Sequence, residues 1–109
     1  MDLTSITKAY FNFFSNKDIS NLSKLYSEDV RLKDWEIDVE GKDKVMKVNA
    51  DVFNDFKSVK IKPLNILHRD NYTFSQIQIF LNEDIFLEVV DIISFNKNGE
   101  INFIRAYKG

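Results

Sequence analysis

Cysteine is absent from the 109 residues, which removes disulfide cross-links, thiolate nucleophiles and any zinc site built on cysteine. Histidine occurs once, at His68, so a transition-metal centre would have to rest on carboxylates alone, and no ligand spacing suggests one. Neither sign of charge dominates: 15 Lys and Arg stand against 17 Asp and Glu, for a net charge of −2. That balance provides no electrostatic footprint for nucleic acid or an anionic membrane. No apolar run is long enough to span a bilayer. The opening "MDLTSITKAYFNFFSNKD" has an acid at position 2 and no small-residue cleavage site after an apolar run, so a cytoplasmic protein without a signal peptide is expected. Neither a GxGxxG, a P-loop nor a GxSxG is present, which leaves nucleotide binding and serine hydrolysis without support. With one proline and three glycines the chain has few breakers, and no linker or repeat divides it. A single domain over residues 1–109 follows.

What is abundant is apolar surface: 44% hydrophobic residues, with ten phenylalanines. Leu3, Ile6, Tyr10, Phe13 and Phe14 recur at helical spacing and predict a first helix. "SNKD" breaks it, and Asp18 is placed to cap a short second helix, "ISNLSKLY". Val30, Leu32 and Asp34 then alternate against Arg31, Lys33 and Trp35, the period of a strand. "DVEG" ends that segment, and "KDKVMKVNADVFNDF" reads as a third helix through Val45, Val48, Val52 and Phe56. Four strands follow, near residues 58–68, 72–81, 85–95 and 100–108, joined by the short turns "RDN", "NED" and "NKNG" in an antiparallel meander. Helices first and strands afterwards make an α+β domain.

One residue sits against this pattern. Along "EVVDIISF" the row Leu87, Val89, Asp91, Ile93, Phe95 places a carboxyl in the middle of an apolar face. An unpaired buried carboxylate is costly, so Asp91 needs a proton or a partner. Tyr10 lies on the apolar face of its helix, and Asp34 follows Val30 and Leu32 on the inward side of its strand. Two carboxyls buried to different depths divide labour naturally. Asp34, near a cavity mouth, serves as an ionised base, and Asp91, deeper, as a neutral hydrogen-bond donor. A plainer reading stays open for each: Tyr10 as core, Asp34 as a surface cap at the strand end, Asp91 as a structural hydrogen-bonding acid. His68 reads as a strand-end surface residue. Lys57, Lys60 and Lys62 read as a solvated face or a blunted sheet edge, and Glu88, opposite in direction to Asp91, as an outward residue that could pair with Arg105.

The stretches "YFNFFSNKDISNLSKLYSEDVRLKD", "VEGKDKV" and "VVDIISFNKNGEINFIRAY" resemble the nuclear-transport-factor-like superfamily, in its SnoaL-like and ketosteroid-isomerase-like branch. The resemblance spans nearly the whole chain. It implies a cone-shaped, strongly curved antiparallel sheet wrapped around three helices, also described as a cystatin-like α+β barrel, with a deep apolar pocket. It implies an aspartate base at Asp34, oxyanion donors at Tyr10 and Asp91, and a supporting tyrosine at Tyr26 on the second helix. Phe14, Trp35, Phe53 and Val89 are expected to line the pocket. No organic cofactor or metal is implied, and the implied partners are an apolar small molecule and a second copy of the chain. Glu88 would sit at that interface. Trp35 departs from the proline that usually follows the base, the connection from Asp34 to Gly41 is about two residues shorter than usual, and Asn49 stands where some relatives carry a further network tyrosine. Two functions compete. One is an isomerase-type enzyme acting beside a carbonyl of a steroid- or polyketide-like molecule; the other is a non-catalytic domain holding an apolar ligand. A third class, a pure interaction module, would need an outer sheet face more apolar than the pocket.

Overall fold

The computed structural model describes residues 2–109. Helix α1, Leu3–Ser15, is capped by the Asp2 carboxylate, which accepts from the Ser5 amide at 3.2 Å. Helix α2, Ile19–Leu25, is capped the same way by Asp18, which accepts from the Asn21 amide at 3.2 Å. Strand β1, Tyr26–Lys33, begins directly after it and is followed by a three-residue strand β2, Asp38–Glu40. Helix α3, Lys42–Asp55, starts at Gly41, whose φ of 101° is open to glycine at little cost and turns the chain out of β2. Strands β3 (Val59–Arg69), β4 (Tyr72–Leu81), β5 (Ile85–Phe95) and β6 (Ile101–Lys108) complete the chain.

The six strands form one sheet in the order β2-β1-β6-β5-β4-β3. The last four are the antiparallel meander read from the turns; β1 joins it parallel to β6. Two expectations need correcting. "DVE" was expected to be a break, yet it pairs with Arg31–Lys33 of β1, because the Arg31 guanidinium holds Asp38 in a bidentate pair at 2.7 and 2.8 Å. Tyr26, expected at the end of the second helix, is extended (ψ 139°) and opens β1.

Alternation along each strand sends one set of side chains to the concave side, where α1 and α3 pack. Phe11, Leu22, Tyr26, Val30, Val45, Ile77, Ile93, Ile101 and Ile104 are almost wholly buried there. Truncating one such residue, for instance Phe11 to alanine, costs about 3–5 kcal/mol. Edge strand β3 carries the chain's only proline, Pro63, at a register shift between Pro63 and Asn65, where a missing amide does least harm. Lys60 and Lys62 lie exposed on that edge. Glu88 and Arg105 do not meet: Glu88 is opposite Gln78, whereas Arg105 is opposite Ile92 and stacks on Phe103 at 4.4 Å. Among the described residues, no helix is long and apolar enough to cross a membrane.

Candidate active site

Between α1, α3 and the concave face of the sheet lies a half-open cavity of about 380 Å³. Its wall is mostly aliphatic and aromatic: Phe14 from α1, Val48 and Val52 from α3, and Ile77, Leu87 and Val89 from the sheet. Into this apolar wall project Tyr10, Asn49, Asp91 and, toward the mouth, Asp34 and Glu36. Such a space, apolar with a few convergent polar groups, is the usual form of a small-molecule site.

Asp91 is fixed by register. It stands opposite Ser75 on β4 and Ala106 on β5's other neighbour, β6, so all three share the concave face. The residue is 6% exposed. Burial, and after it the negative charge of Asp34, pushes its carboxyl from the ordinary 3.8 up to about 7. No hydrogen bond from the described residues offsets that shift. Across the strand, the Ser75 hydroxyl is buried and has no partner among the described residues. One row further in, Thr73 does have one, the Thr7 hydroxyl at 2.8 Å.

Tyr10 projects from the buried face of α1 and is 5% exposed. Burial holds its phenol well above the ordinary value, reinforced by the neighbouring Tyr26 and Asp91. Tyr26, itself buried, donates its hydroxyl hydrogen to Asn49 Oδ1 at 2.7 Å. Asn49, from α3, is therefore the partner of the Tyr26 hydroxyl. Since a phenol has one hydrogen, the Tyr26 oxygen can only accept from any further neighbour; the Tyr10 ring lies 6.4 Å away, centroid to centroid.

Asp34 does not lie within a strand, as its alternation with Val30 and Leu32 suggested. Strand β1 ends at Lys33, and Asp34 closes the next turn: its Oδ1 accepts from the amides of Glu36 at 2.7 Å and Ile37 at 2.8 Å. Two amide bonds fix the carboxylate's direction and leave Oδ2 without a partner from that turn. The turn keeps Asp34 on the cavity wall and exposes Trp35 (41%) beside it.

Tyr10, Asp34 and Asp91 thus share one cavity, with Phe14, Trp35 and Val89 on its wall. Phe53 is displaced from it: its ring packs edge-on against Phe14 at 4.9 Å and belongs to the core behind. His68 lies at the far end of β3, its Nε2 2.8 Å from the Asp70 carbonyl, outside the cavity. Residues that the sequence reading missed are Glu36 and Lys108, both on the cavity wall. Lys108 was detectable in principle, because it continues the inward row Ile104, Ala106 at period two. Among the described residues, no group of three or more His, Cys, Asp or Glu side chains is arranged to hold a metal.

Three solved structures share this architecture. A provisionally assigned ketosteroid isomerase from Kribbella flavida superposes with a TM-score of 0.85 at 14% identity, covering 98% of this chain and 77% of its own. An NTF2-like protein of unknown function from Cytophaga hutchinsonii gives a TM-score of 0.85 at 13% identity, over 100% and 91% of the two chains. A provisionally assigned isomerase of the SnoaL-like family from Agrobacterium tumefaciens gives 0.83 at 15% identity, over 97% and 96%. At such identities the likeness is one of fold. No curated protein matches the chain. The family model of the SnoaL-like domain matches residues 7–104, almost the full length of the sheet and helices that build the cavity. The chain belongs to the SnoaL-like domain family.

Proposed function

We propose that this protein is an isomerase-type enzyme that moves a proton beside the carbonyl of a small apolar substrate, steroid-like or polyketide-like in shape. The observation that carries the reading is the convergence of Asp34, Tyr10 and Asp91 on one largely apolar cavity. In the first step the Asp34 carboxylate takes a proton from the carbon next to the carbonyl. The electron pair of that C–H bond moves through the carbon framework onto the carbonyl oxygen, giving a dienolate. The O–H groups of Tyr10 and neutral Asp91 donate to this oxygen as its charge develops. In the second step Asp34 returns the proton to a different carbon, so the double bond shifts and no atom is gained or lost. The apolar wall supports the chemistry by excluding water from the dienolate.

The experiment is deuterium exchange. A cyclic β,γ-unsaturated ketone incubated in D2O with the protein is expected to take up deuterium next to its carbonyl, followed by NMR. Asp34→Asn is expected to slow the uptake by about 10²–10⁴-fold, the usual contribution of a general base. Undiminished exchange in Asp34→Asn would remove Asp34 from the mechanism.

A second reading has its own support. The two amide bonds to Asp34 Oδ1 already give that residue a turn-closing duty, and Trp35 beside it adds a large aromatic surface to the cavity wall. In this reading the cavity binds an apolar ligand without turnover, and ligand affinity survives in Asp34→Asn with no exchange in either protein.

A further inference from the structure

Strand β1 accompanies β6 only as far as the pair Lys33–Arg105. Beyond it the chain turns away at Asp34, while β6 runs on through Ala106, Tyr107 and Lys108. The last three residues of β6 therefore have no strand on that side, and a slot of about 310 Å³ opens between them and the Asp34–Trp35 turn. This slot shares Asp34, Trp35, Ala106 and Lys108 with the cavity described above, so the two spaces adjoin at these residues.

The charge of the slot reverses that of the molecule. In a chain of net charge −2, the slot's charged residues are Lys33, Arg105 and Lys108 against the single carboxylate Asp34. Asp34 already spends one oxygen on two backbone amides. Glu36, the other carboxylate nearby, lines the cavity mouth and not the slot. The ion pairs found among the described residues are Arg31–Asp38, Lys42–Glu28 and Lys47–Asp51, so none of the three slot cations is in one. Lys33 stands opposite Asp38, whose two oxygens are held by Arg31. Arg105 rests on the Phe103 ring and Lys108 lies over the Trp35 ring, 5.7 Å from its centre. The Trp35 face thus holds Lys108 at the slot, while Arg105 is drawn toward Phe103, which lies outside the slot's wall.

Lys108 also sets a distance. It shares its cross-strand row with Val89, one row along from the pair Asp91–Ala106, and both rows face the cavity. Adjacent inward rows are about 7 Å apart along a strand. A ligand with one oxygen at Tyr10 and Asp91 therefore reaches the Lys108 row about two fused rings away.

We infer that the slot is the second half of the ligand site, and that the natural substrate is an apolar carbonyl compound bearing an anionic group, a carboxylate or a phosphate ester, which Lys108 receives, with Arg105 and Lys33 on the slot's wall adding positive field. This rests on the proposed function, because it takes the Tyr10–Asp91 end of the cavity as the carbonyl end. It adds the chemical class of the rest of the molecule.

The test compares 2-naphthol, 6-hydroxy-2-naphthoate, the methyl ester of that acid, and 6-hydroxy-2-naphthyl phosphate, by calorimetry at low and high salt. The free acid is expected to bind about tenfold more tightly than its ester, the worth of one charge-assisted contact, and the advantage is expected to shrink with salt. Comparison of the acid with the phosphate identifies which anion the slot prefers. Lys108→Met should remove most of the preference and Lys108→Glu should invert it; Arg105→Met should weaken it independently. Equal binding of acid and ester, or a preference that survives in the Lys108→Met/Arg105→Met double variant, would overturn the inference. Failure of the proposed function has a different signature: naphthol binding that ignores Tyr10→Phe and Asp91→Ala. An acid preference that depends on Lys108 in such a protein would uphold the slot as an anion site and sink the catalytic reading alone.

Discussion

The Tyr26 hydroxyl gives its hydrogen to Asn49 Oδ1 at 2.7 Å, and its ring lies 6.4 Å from that of Tyr10, centroid to centroid. With its own hydrogen committed, Tyr26 offers only an acceptor toward Tyr10, and a bond there would hold back the hydrogen that the proposed oxyanion site uses. Replacing Asn49 by leucine, close in volume and without an acceptor, frees the Tyr26 hydrogen to point at Tyr10. The affinity for a substituted naphthol is then expected to rise by about threefold to tenfold, in the range of one hydrogen bond. The Tyr26→Phe/Asn49→Leu double variant should lose that gain. A lower naphthol affinity in Asn49→Leu, with the fold intact by circular dichroism, would show that Tyr26 does not restrain Tyr10 in this way.

Asp91 gives the fold a pH signature. Its carboxyl is raised from 3.8 to about 7 in the folded protein, so the folded state binds this proton more tightly than the unfolded chain. The resulting stabilisation is fully present below pH 3.8, declines as the pH rises, and is gone above about pH 7. Asp91→Asn keeps the shape and cannot ionise. The stability of wild type relative to this variant is therefore expected to fall by on the order of 4 kcal/mol between pH 4 and pH 8. Denaturant unfolding of both proteins across that range measures it. A difference that stays flat with pH would mean that Asp91 is not buried as a neutral acid.

Lys17 makes a separate, structural prediction. Its φ of 53° turns the chain between α1 and α2, and its Nζ donates to the carbonyls of Phe53 at 2.8 Å and Lys57 at 3.0 Å, as well as to Phe56. One ammonium thereby satisfies the C-terminal end of α3, where cations are favoured. Lys17→Met is expected to cost about 2 kcal/mol, which for a domain of this size lowers Tm by roughly 8–16 °C. Ligand affinity should be unchanged, because Lys17 does not reach the cavity. A scanning-calorimetry shift of under 2 °C would contradict the capping role.

Much of this molecule is written in local pattern. The alternation in Ile85–Phe95 and Tyr72–Leu81 marks both strands to their ends, since long half-buried strands carry period two in every residue. The helices follow from the spacing of Leu3 to Phe14 and Val45 to Phe56 for the same reason. What was not legible depends on partners distant in sequence. "DVE" has too few residues to show a period and becomes a strand through β1 and Arg31. Tyr26 has a helix-like neighbourhood, but pairs with Ile101 of β6. Asp34 continues an inward row in sequence, yet an Asx turn ends the strand one residue earlier, and that turn is what opens the cationic slot. Phe53 shares a helix face with cavity residues, and only the seating of Phe14 in front of it removes it from the wall.

The proposed function rests on Tyr10 and neutral Asp91 acting as a pair of hydrogen-bond donors to one oxygen, and a single titration tests it. Binding of 2-naphthol, which mimics an enolate, should be tight in wild type and drop by about tenfold or more in each of Tyr10→Phe and Asp91→Ala. For wild type it should also weaken as the pH rises through about 7, where Asp91 loses its proton. Equal affinity in all three proteins, or no binding to any of them, would contradict the oxyanion site and leave Asp91 as a structural acid.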